Sequence, residues 1–298
     1  MFWLLAILGC SDRPTDSLLW RESWEVLIAT QGGGLIDARA TVGNTGLLRG
    51  QARLHLDRWS QTESPILYGI HGGPEDVDVS TARDAVRVGT TLIGRYESGE
   101  NWTIRASSEE ANAILHIDPG GPKPPMATGR IGDGQWTLTA PITQGPVHGW
   151  YTAGKRGGLV EGYAVALHRG GDGRAEGPRT AAFVVSPTIS IGFDQQDDVS
   201  LRWARIDDRD FSIDDARLTQ SADGSARLDL RPSADLWIQF EPSDAGGSTD
   251  GLDHLLPPER WVAKAASHTA LRTIRRYTAV IHIEGKIRRS AGLLVVVN

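Results

Sequence analysis

Three histidines in the chain are each followed two residues later by a carboxylate: His55 with Asp57, His116 with Asp118, and His282 with Glu284. In an extended segment that spacing puts both side chains on one face. A carboxylate so placed can orient an imidazole for acid–base work or begin a metal site. A zinc site needs three or four convergent ligands, and nothing in the order of residues brings any two of these pairs together; each reads first as a cross-strand surface pair. A fourth histidine, His168, closes the run Leu159–His168, whose faces carry Leu159, Glu161, Tyr163, Val165 and Leu167 on one side and Val160, Gly162, Ala164, Ala166 and His168 on the other. A lone imidazole at a strand end reads first as a rim residue. The acidic runs Asp194–Asp198 and Asp207–Asp210 lack the alternating oxygen ligands and distal Glu of a calcium loop. No Gly-x-Ser-x-Gly elbow, His-Glu-x-x-His helix or Walker loop occurs, so neither a cofactor nor a metal is expected.

The elements that must position these residues are strands. Gly149–Arg169 (GWYTAGKRGGLVEGYAVALHR) returns in altered form as the last segment, RYTAVIHIEGKIRRSAGLLVVVN. In each copy a Tyr-Thr-Ala leads through a Gly- and Lys-containing turn to a Gly and an apolar run, the pattern of paired strands. The echo extends upstream, from Asp118-Pro119 and Gly120-Gly121 to Glu241-Pro242 and Gly246-Gly247, and from Trp136 to Trp261. Matches in constant order with a slowly growing offset describe a duplicated domain with small insertions.

Elsewhere, short apolar segments alternate with Gly, Pro, Asp and Asn clusters, and no segment combines helical periodicity with capping signals. Strands are expected at Trp24–Gln31, Leu35–Val42, Leu48–Leu56, Ile66–Ile70, Ala85–Gly89, Thr91–Tyr96, Trp102–Ala106, Ala113–Ile117 and Trp136–Thr139, with the Gly149–His168 pair closing the first half. In the second half they are expected at Phe183–Ile191, Val199–Ile206, Phe211–Leu218, Ala226–Leu230 and Leu236–Phe240. With 35 glycines in 298 residues, the expected class is all-β, built as two barrels or sandwiches. Gly170–Pro178, charged and glycine-rich, is the expected linker. The strand Leu159–His168 is apolar on both faces, as is Leu293–Val297, so both are expected where the barrels touch. The small face Gly162, Ala164 and Ala166 leaves space, either for a ligand or for bulky side chains from facing strands. The ten tryptophans suit barrel ends and cores, or a carbohydrate platform. A formal charge of −6 with no basic stripe excludes nucleic acid as the expected partner.

Phe2–Gly9 is apolar and ends at Cys10, the single cysteine. It is well below the roughly 20 residues of a membrane-spanning helix. Ile7-Leu8-Gly9-Cys10 resembles a bacterial lipobox, in which the Cys thiol receives a diacylglycerol. The organisation expected is a signal peptide at 1–9, a lipidated Cys10 and tether at 10–22, a first barrel at 23–175 and a second at 176–298. The expected location is the cell envelope, on the periplasmic side, at the outer rather than the inner membrane.

Trp24–Gly34, Val86-Arg87-Val88-Gly89, the Trp102 strand, Gly162-Tyr163 with His168, and the closing strand around Gly292 resemble the two-domain lipocalin-like (calycin) superfamily. That group includes carotenoid 1,2-hydratase, AttH-like and survival-factor-like proteins. The resemblance implies two tandem lipocalin-like antiparallel barrels that accept apolar or isoprenoid-like molecules. Gly162, Ala164 and Ala166, with Tyr163 and Tyr151, are then the candidate ligand-binding residues. The resemblance also implies hydratase- or isomerase-like chemistry with His168 aided by Glu161 or Tyr163; the aspartate that hydratase-like members carry near this histidine is absent, its space held by Ala164, Val165 and Ala166. The expected function is a tethered protein that binds or carries an apolar small molecule or lipid; an isoprenoid-acting enzyme and a structural protein of the envelope are the alternatives. In a host with lipoprotein-processing machinery, the full chain should partition with membranes and Cys10→Ala should release it to the soluble fraction. Equal partitioning of the two in a fractionation experiment would exclude lipidation at Cys10.

Overall fold

The computed structural model describes residues 20–45, 48–80, 84–95, 101–108, 111–172, 178–231, 236–250 and 271–297. Cys10, Trp261 and residues 1–19 of the expected leader and tether lie outside them. Among the described residues every regular element is a strand. The first sheet contains β1 (Trp20–Thr30), β2 (Leu35–Thr45), β3 (Leu48–Trp59), β4 (Gly69–Gly72), β5 (Val77–Ser80) and β6 (Ala85–Val88). It continues with β7 (Thr91–Arg95), β8 (Trp102–Ser107), β9 (Asn112–Ile117), β10 (Met126–Ile131), β11 (Gly134–Ala153) and β12 (Arg156–Asp172). The second contains β13 (Arg179–Ser186), β14 (Ile189–Gln196), β15 (Val199–Ile206), β16 (Arg209–Asp210) and β17 (Asp215–Gln220). It ends with β18 (Ala226–Arg231), β19 (Trp237–Asp250), β20 (Leu271–Ile283) and β21 (Lys286–Val297).

The first sheet runs β4-β3-β2-β1-β12-β11-β9-β8-β7-β6-β5, all antiparallel, with β10 on the side of β11. Its ends approach without pairing: a Cβ on Gly72 of β4 would stand 2.8 Å from Val88 of β6 and 3.4 Å from Val77 of β5. The barrel is therefore nearly closed. The second sheet runs β16-β15-β14-β13-β21-β20-β19-β18-β17 and stays open between β16 and β17, a half-barrel. From β3 to β7 in one and β15 to β17 in the other, the two halves have the same order of strands, with β1 answering to β13, β12 to β21 and β11 to β20. The duplication is real at the level of topology. The residue-by-residue echo is looser. Tyr151 faces Gly158 close to its hairpin turn, whereas Tyr277 faces Gly292 four residues further from its own.

Several expected boundaries move for local reasons. Phe183–Ile191 is not one strand but the two arms of a hairpin, broken at Pro187, which has no N–H to give the ladder. Trp136–Thr139 and Gly149–Ala153 belong to one 20-residue strand, β11. Bulges at Thr139/Ile142 and Ile142/Gly145 let it serve β10 at one end and β9 at the other. The segment from Phe211 becomes a strand only at Asp215. The first sheet starts at Trp20, ahead of the expected end of the tether at residue 22, because Trp20 and Glu22 are buried in it. Gly170–Asp172 belong to β12 rather than to the linker.

The period of two sorts each central strand between two cores. Trp24, Val26 and Ile28 of β1 and Ala164 and Ala166 of β12 face the first barrel's interior with Leu54, Leu56, Trp102, Ile104 and Tyr151. Leu27 and Ala29 of β1, with Val165 and Leu167 of β12, face the other way. They meet Phe183, Val185, Trp203, Leu293 and Val295 of the second sheet in a separate core. The strands expected at the contact between barrels are found there. Ser190 Oγ bridges that contact, accepting from Trp203 Nε1 and donating to the Thr143 carbonyl.

Charge is also buried there. Arg272 of β20 donates to Glu25 of β1 and Asp37 of β2. Arg179 of β13 reaches Glu25 at 2.7 Å and Asp194 of β14 at 2.9 Å. Arg169 of β12 donates to Asp194 and, at 3.3 Å, to Gln196. Arg39 continues the chain from Asp37, at 3.0 Å, to Asp57, at 3.9 Å. Burial alone would raise the Asp194 carboxyl, but Arg169 and Arg179 outweigh it and hold the group below the usual carboxylate range. The Arg272→Met substitution leaves Glu25 and Asp37 with reduced compensation in a buried setting. It should lower the unfolding free energy by about 3–5 kcal/mol; a change within half a kcal/mol in urea titrations would show that the chain of charges does not hold the barrels together.

Candidate active site

The inward face of β1 carries Trp20, Glu22 and Trp24 in succession, and the inward face of β12 carries Ala164, Ala166 and His168. Trp24 and His168 are direct cross-strand partners. Their rings stack with centroids 4.7 Å apart and planes 13° from parallel. Alanines make this possible: Ala40 lies opposite Trp24 on the other side, and Ala38, Ala106, Ala113, Ala164 and Ala166 share the interior with the two large indoles, Trp24 and Trp102. The space that the small face of β12 leaves is thus taken in part by tryptophan.

Two carboxylates flank the imidazole. Glu22 Oε2 lies 3.8 Å from His168 Nε2 and Asp84 Oδ1 lies 3.7 Å from His168 Nδ1, both slightly beyond hydrogen-bond length. Asp84 stands just before β6 with φ of 45°. It is seated against Gly94, where a Cβ would lie 2.3 Å from the Asp84 carbonyl oxygen; only glycine allows that approach. Arg95 Nη2 is 3.6 Å from the other Asp84 oxygen. The His168 side chain is only 14% exposed. Burial by itself would lower its pKa, but Asp84 and Glu22 prevail and raise it from 6.5 to about 8. The imidazole is therefore mostly protonated at neutral pH, a buried proton donor with two acceptors beside it.

The first barrel contains buried polar atoms that the described residues leave unpaired. Glu22 Oε2, His168 Nε2, Trp24 Nε1, Trp102 Nε1, Thr91 Oγ1 and Arg95 Nε are all buried without a hydrogen-bond partner. A native interior rarely leaves such groups unsatisfied, and water or a bound polar molecule is the usual remedy. The cluster can hold an oxygen-bearing ligand against indole N–H donors and exchange a proton with it.

Of the residues the sequence singled out, Gly162, Ala164 and Ala166 lie on the strand beside this cluster, and Tyr151 is buried lower in the same barrel. There its hydroxyl donates to the Leu56 carbonyl at 2.6 Å, and burial pushes its pKa up. Neither Glu161 nor Tyr163 joins His168. Glu161 is exposed, opposite His148 on the outer face, and Tyr163 packs toward the second barrel; both have the opposite strand parity from His168. The three His–carboxylate pairs also separate. Asp57 and His55 are buried rather than at the surface, Asp57 in the chain of charges, where burial lifts its carboxyl to about 6 against the pull of Arg39. His116 leans on His148 with centroids 5.5 Å apart, and His282 stacks on Trp237 at 3.6 Å. No group of three or more metal-binding side chains forms among the described residues. Trp24, Trp102 and Trp136 are buried and form no carbohydrate platform. Sequence reasoning missed Glu22 and Asp84, which lie in segments far from His168. The one available signal was an acidic residue on the inward parity of β1, two positions before a tryptophan.

No family model matches the chain, and no curated protein does so significantly. Solved structures do match in fold. CghA, solved with Sch210972, is similar with a TM-score of 0.63 at 9% identity, over 94% of this chain and 88% of that one. An AttH-type protein from Nitrosomonas europaea has a TM-score of 0.58 at 12% identity, over 94% and 92%. Kievitone hydratase from Nectria haematococca has 0.58 at 14% identity, over 97% and 92%. The chain has the two-barrel lipocalin-like fold of these proteins.

The raised pKa has a direct test. In side-chain NMR, His168 should titrate near pH 8, and Glu22→Gln should bring the midpoint down by about a unit, the scale on which a neighbouring charge acts. The folded state's excess proton makes the contribution of His168 to stability full below pH 6.5 and lost as pH rises through 8. A midpoint at or below 6.5 in the unmodified protein would contradict the arrangement.

Proposed function

We propose that the protein is an enzyme of the hydratase or isomerase class, acting on an apolar small molecule in the first barrel with His168 as proton donor. The observation that carries this reading is the buried His168 held between Glu22 and Asp84 on the face of Trp24. The likeness in fold to kievitone hydratase supports it. A carrier, which the apolar strands alone suggest, has no use for a buried acid with two bases beside it.

The strength of the acid narrows the substrate. An imidazolium of pKa about 8 is too weak to protonate an isolated alkene carbon efficiently, whereas a double bond polarised by a carbonyl or an electron-rich ring needs far less driving force. In hydration, water adds to the electron-poor carbon while Glu22 or Asp84 takes its proton. His168 delivers a proton to the neighbouring carbon, and the carboxylate returns its proton to the imidazole. One water is consumed and the protein ends as it began. Without water, the same transfer and return of a proton moves the double bond. Trp24 and Trp102 supply indole N–H groups for the oxygen on which charge gathers.

The full chain incubated with a lipophilic extract of its host in water labelled with heavy oxygen and in heavy water should yield products carrying the labelled oxygen, or carbon-bound deuterium without it. His168→Gln should slow this about 10²–10⁴-fold, the usual contribution of a positioned acid. Turnover unchanged by His168→Gln, or a molecule retained and released without label, would overturn the reading, the second outcome in favour of a carrier.

A further inference from the structure

The outer face of the first barrel carries a row of residues in direct cross-strand register: Arg87, Leu92, Arg105, Ile114, Trp150 and Leu159, one from each of β6, β7, β8, β9, β11 and β12. Leu159 is 86% exposed and Trp150 36%. Lys155 and Arg156, both exposed, occupy the hairpin turn just before Leu159. The rows on either side are polar and largely neutral. Thr103, His116 and His148 form one, with Glu161 at its end; Ser107, Asn112 and Thr152 form the other. Asp78 is paired with Arg87 at 2.5 Å. At the Arg87 end the row opens into a groove of about 440 Å³ whose lining includes Arg87, Arg105, Ser80 and Thr90, together with Asp78 and with Arg95, which also faces Asp84 at 3.6 Å. On a chain with a formal charge of −6, cations interleaved with large apolar side chains are concentrated on one face.

We propose that this face docks on an anionic phospholipid bilayer, with phosphate groups at Arg105 and in the arginine groove, and with Trp150 and Leu159 in the boundary between head groups and acyl chains. Tryptophan and leucine suit that boundary, and arginine extends its charge to the phosphates while its stem lies on apolar surface. Basic residues near an anionic leaflet add attraction roughly in proportion to their number. A peptide partner fits less well: the row crosses strands already paired on both sides, which leaves no open edge for strand addition. Contact centres on Arg105, Ile114, Trp150 and Leu159, neighbours on four adjacent strands. A soluble enzyme for an apolar substrate that rests on a bilayer meets that substrate where it is concentrated. The docking itself does not depend on the proposed chemistry.

Vesicle co-sedimentation of the full chain tests it, with phosphatidylcholine vesicles and with the same vesicles containing phosphatidylglycerol, at low and high salt. The wild-type chain should bind the anionic vesicles more tightly, and salt should weaken that binding. Arg105→Glu should reduce the affinity on the order of tenfold, and Leu159→Ser should reduce it on both kinds of vesicle, with circular dichroism and melting temperature unchanged. Any hold by the N-terminal apolar segment is common to all these chains, so the difference between them reads the barrel face alone. Equal binding by wild type and both variants, or equal wild-type binding to neutral and anionic vesicles, would overturn the proposal. A dimer in sedimentation velocity that Leu159→Ser dissociates would overturn it in favour of a second copy of this chain.

Discussion

The chain of buried charges between the barrels fixes where everything else sits. Glu25 and Arg169 belong to it, and each is next in sequence to a residue of the candidate site, Trp24 and His168. Because successive side chains of a strand point to opposite faces, pinning Glu25 and Arg169 on the second barrel fixes Trp24 and His168 toward the interior of the first. A slip of β1 against β12 by one residue would turn Glu25 away from both Arg272 and Arg179. Ion pairs of this kind add little net stability over an apolar interface, since desolvation offsets their attraction. Their effect is to exclude other registers, which apolar contacts such as Leu27 on Phe183 penalise far less.

The same alternation explains what could be read from the order of residues. The two-sided apolar character of Leu159–His168 and Leu293–Val297 was legible because each strand has a core on either face, and those strands do lie where the barrels meet. The all-β class followed from turn residues at short intervals. Tyr151 and Tyr277 marked the right pair of hairpins, yet they stand at different distances from their turns, because repeated hairpins keep strand order more strictly than register. Pro187 split an apparently continuous apolar run, a local effect that overrides the hydrophobic pattern. Parity already placed Glu161 and Tyr163 away from His168. Its true neighbours could not be found that way: Glu22 arrives through pairing of β1 with β12, and Asp84 through the seating of a turn on Gly94. Such contacts join segments far apart in the chain and leave no local pattern.

The interior of the first barrel is chemically uneven. Most of the interior is apolar and well packed, and yet an imidazole and two carboxylates meet on the face of Trp24, and the same barrel buries further unpaired groups, the Trp102 indole N–H and the Thr91 hydroxyl. A barrel that needed only stability would fill those positions with valine or leucine. Retaining them costs desolvation that a bound polar group recovers. The raised pKa of His168 is part of the same arrangement, for the carboxylates that keep it protonated are also placed to receive a proton from a molecule held against Trp24.

A crystal structure of the protein grown with the lipophilic extract of its host tests that account most directly. The account predicts density inside the first barrel, with a ligand oxygen within hydrogen-bond reach of Trp24 Nε1 or Trp102 Nε1 and a carbon of the ligand against His168 Nε2. A ligand seated elsewhere, with Glu22, His168 and the two indoles still unpaired, would contradict it.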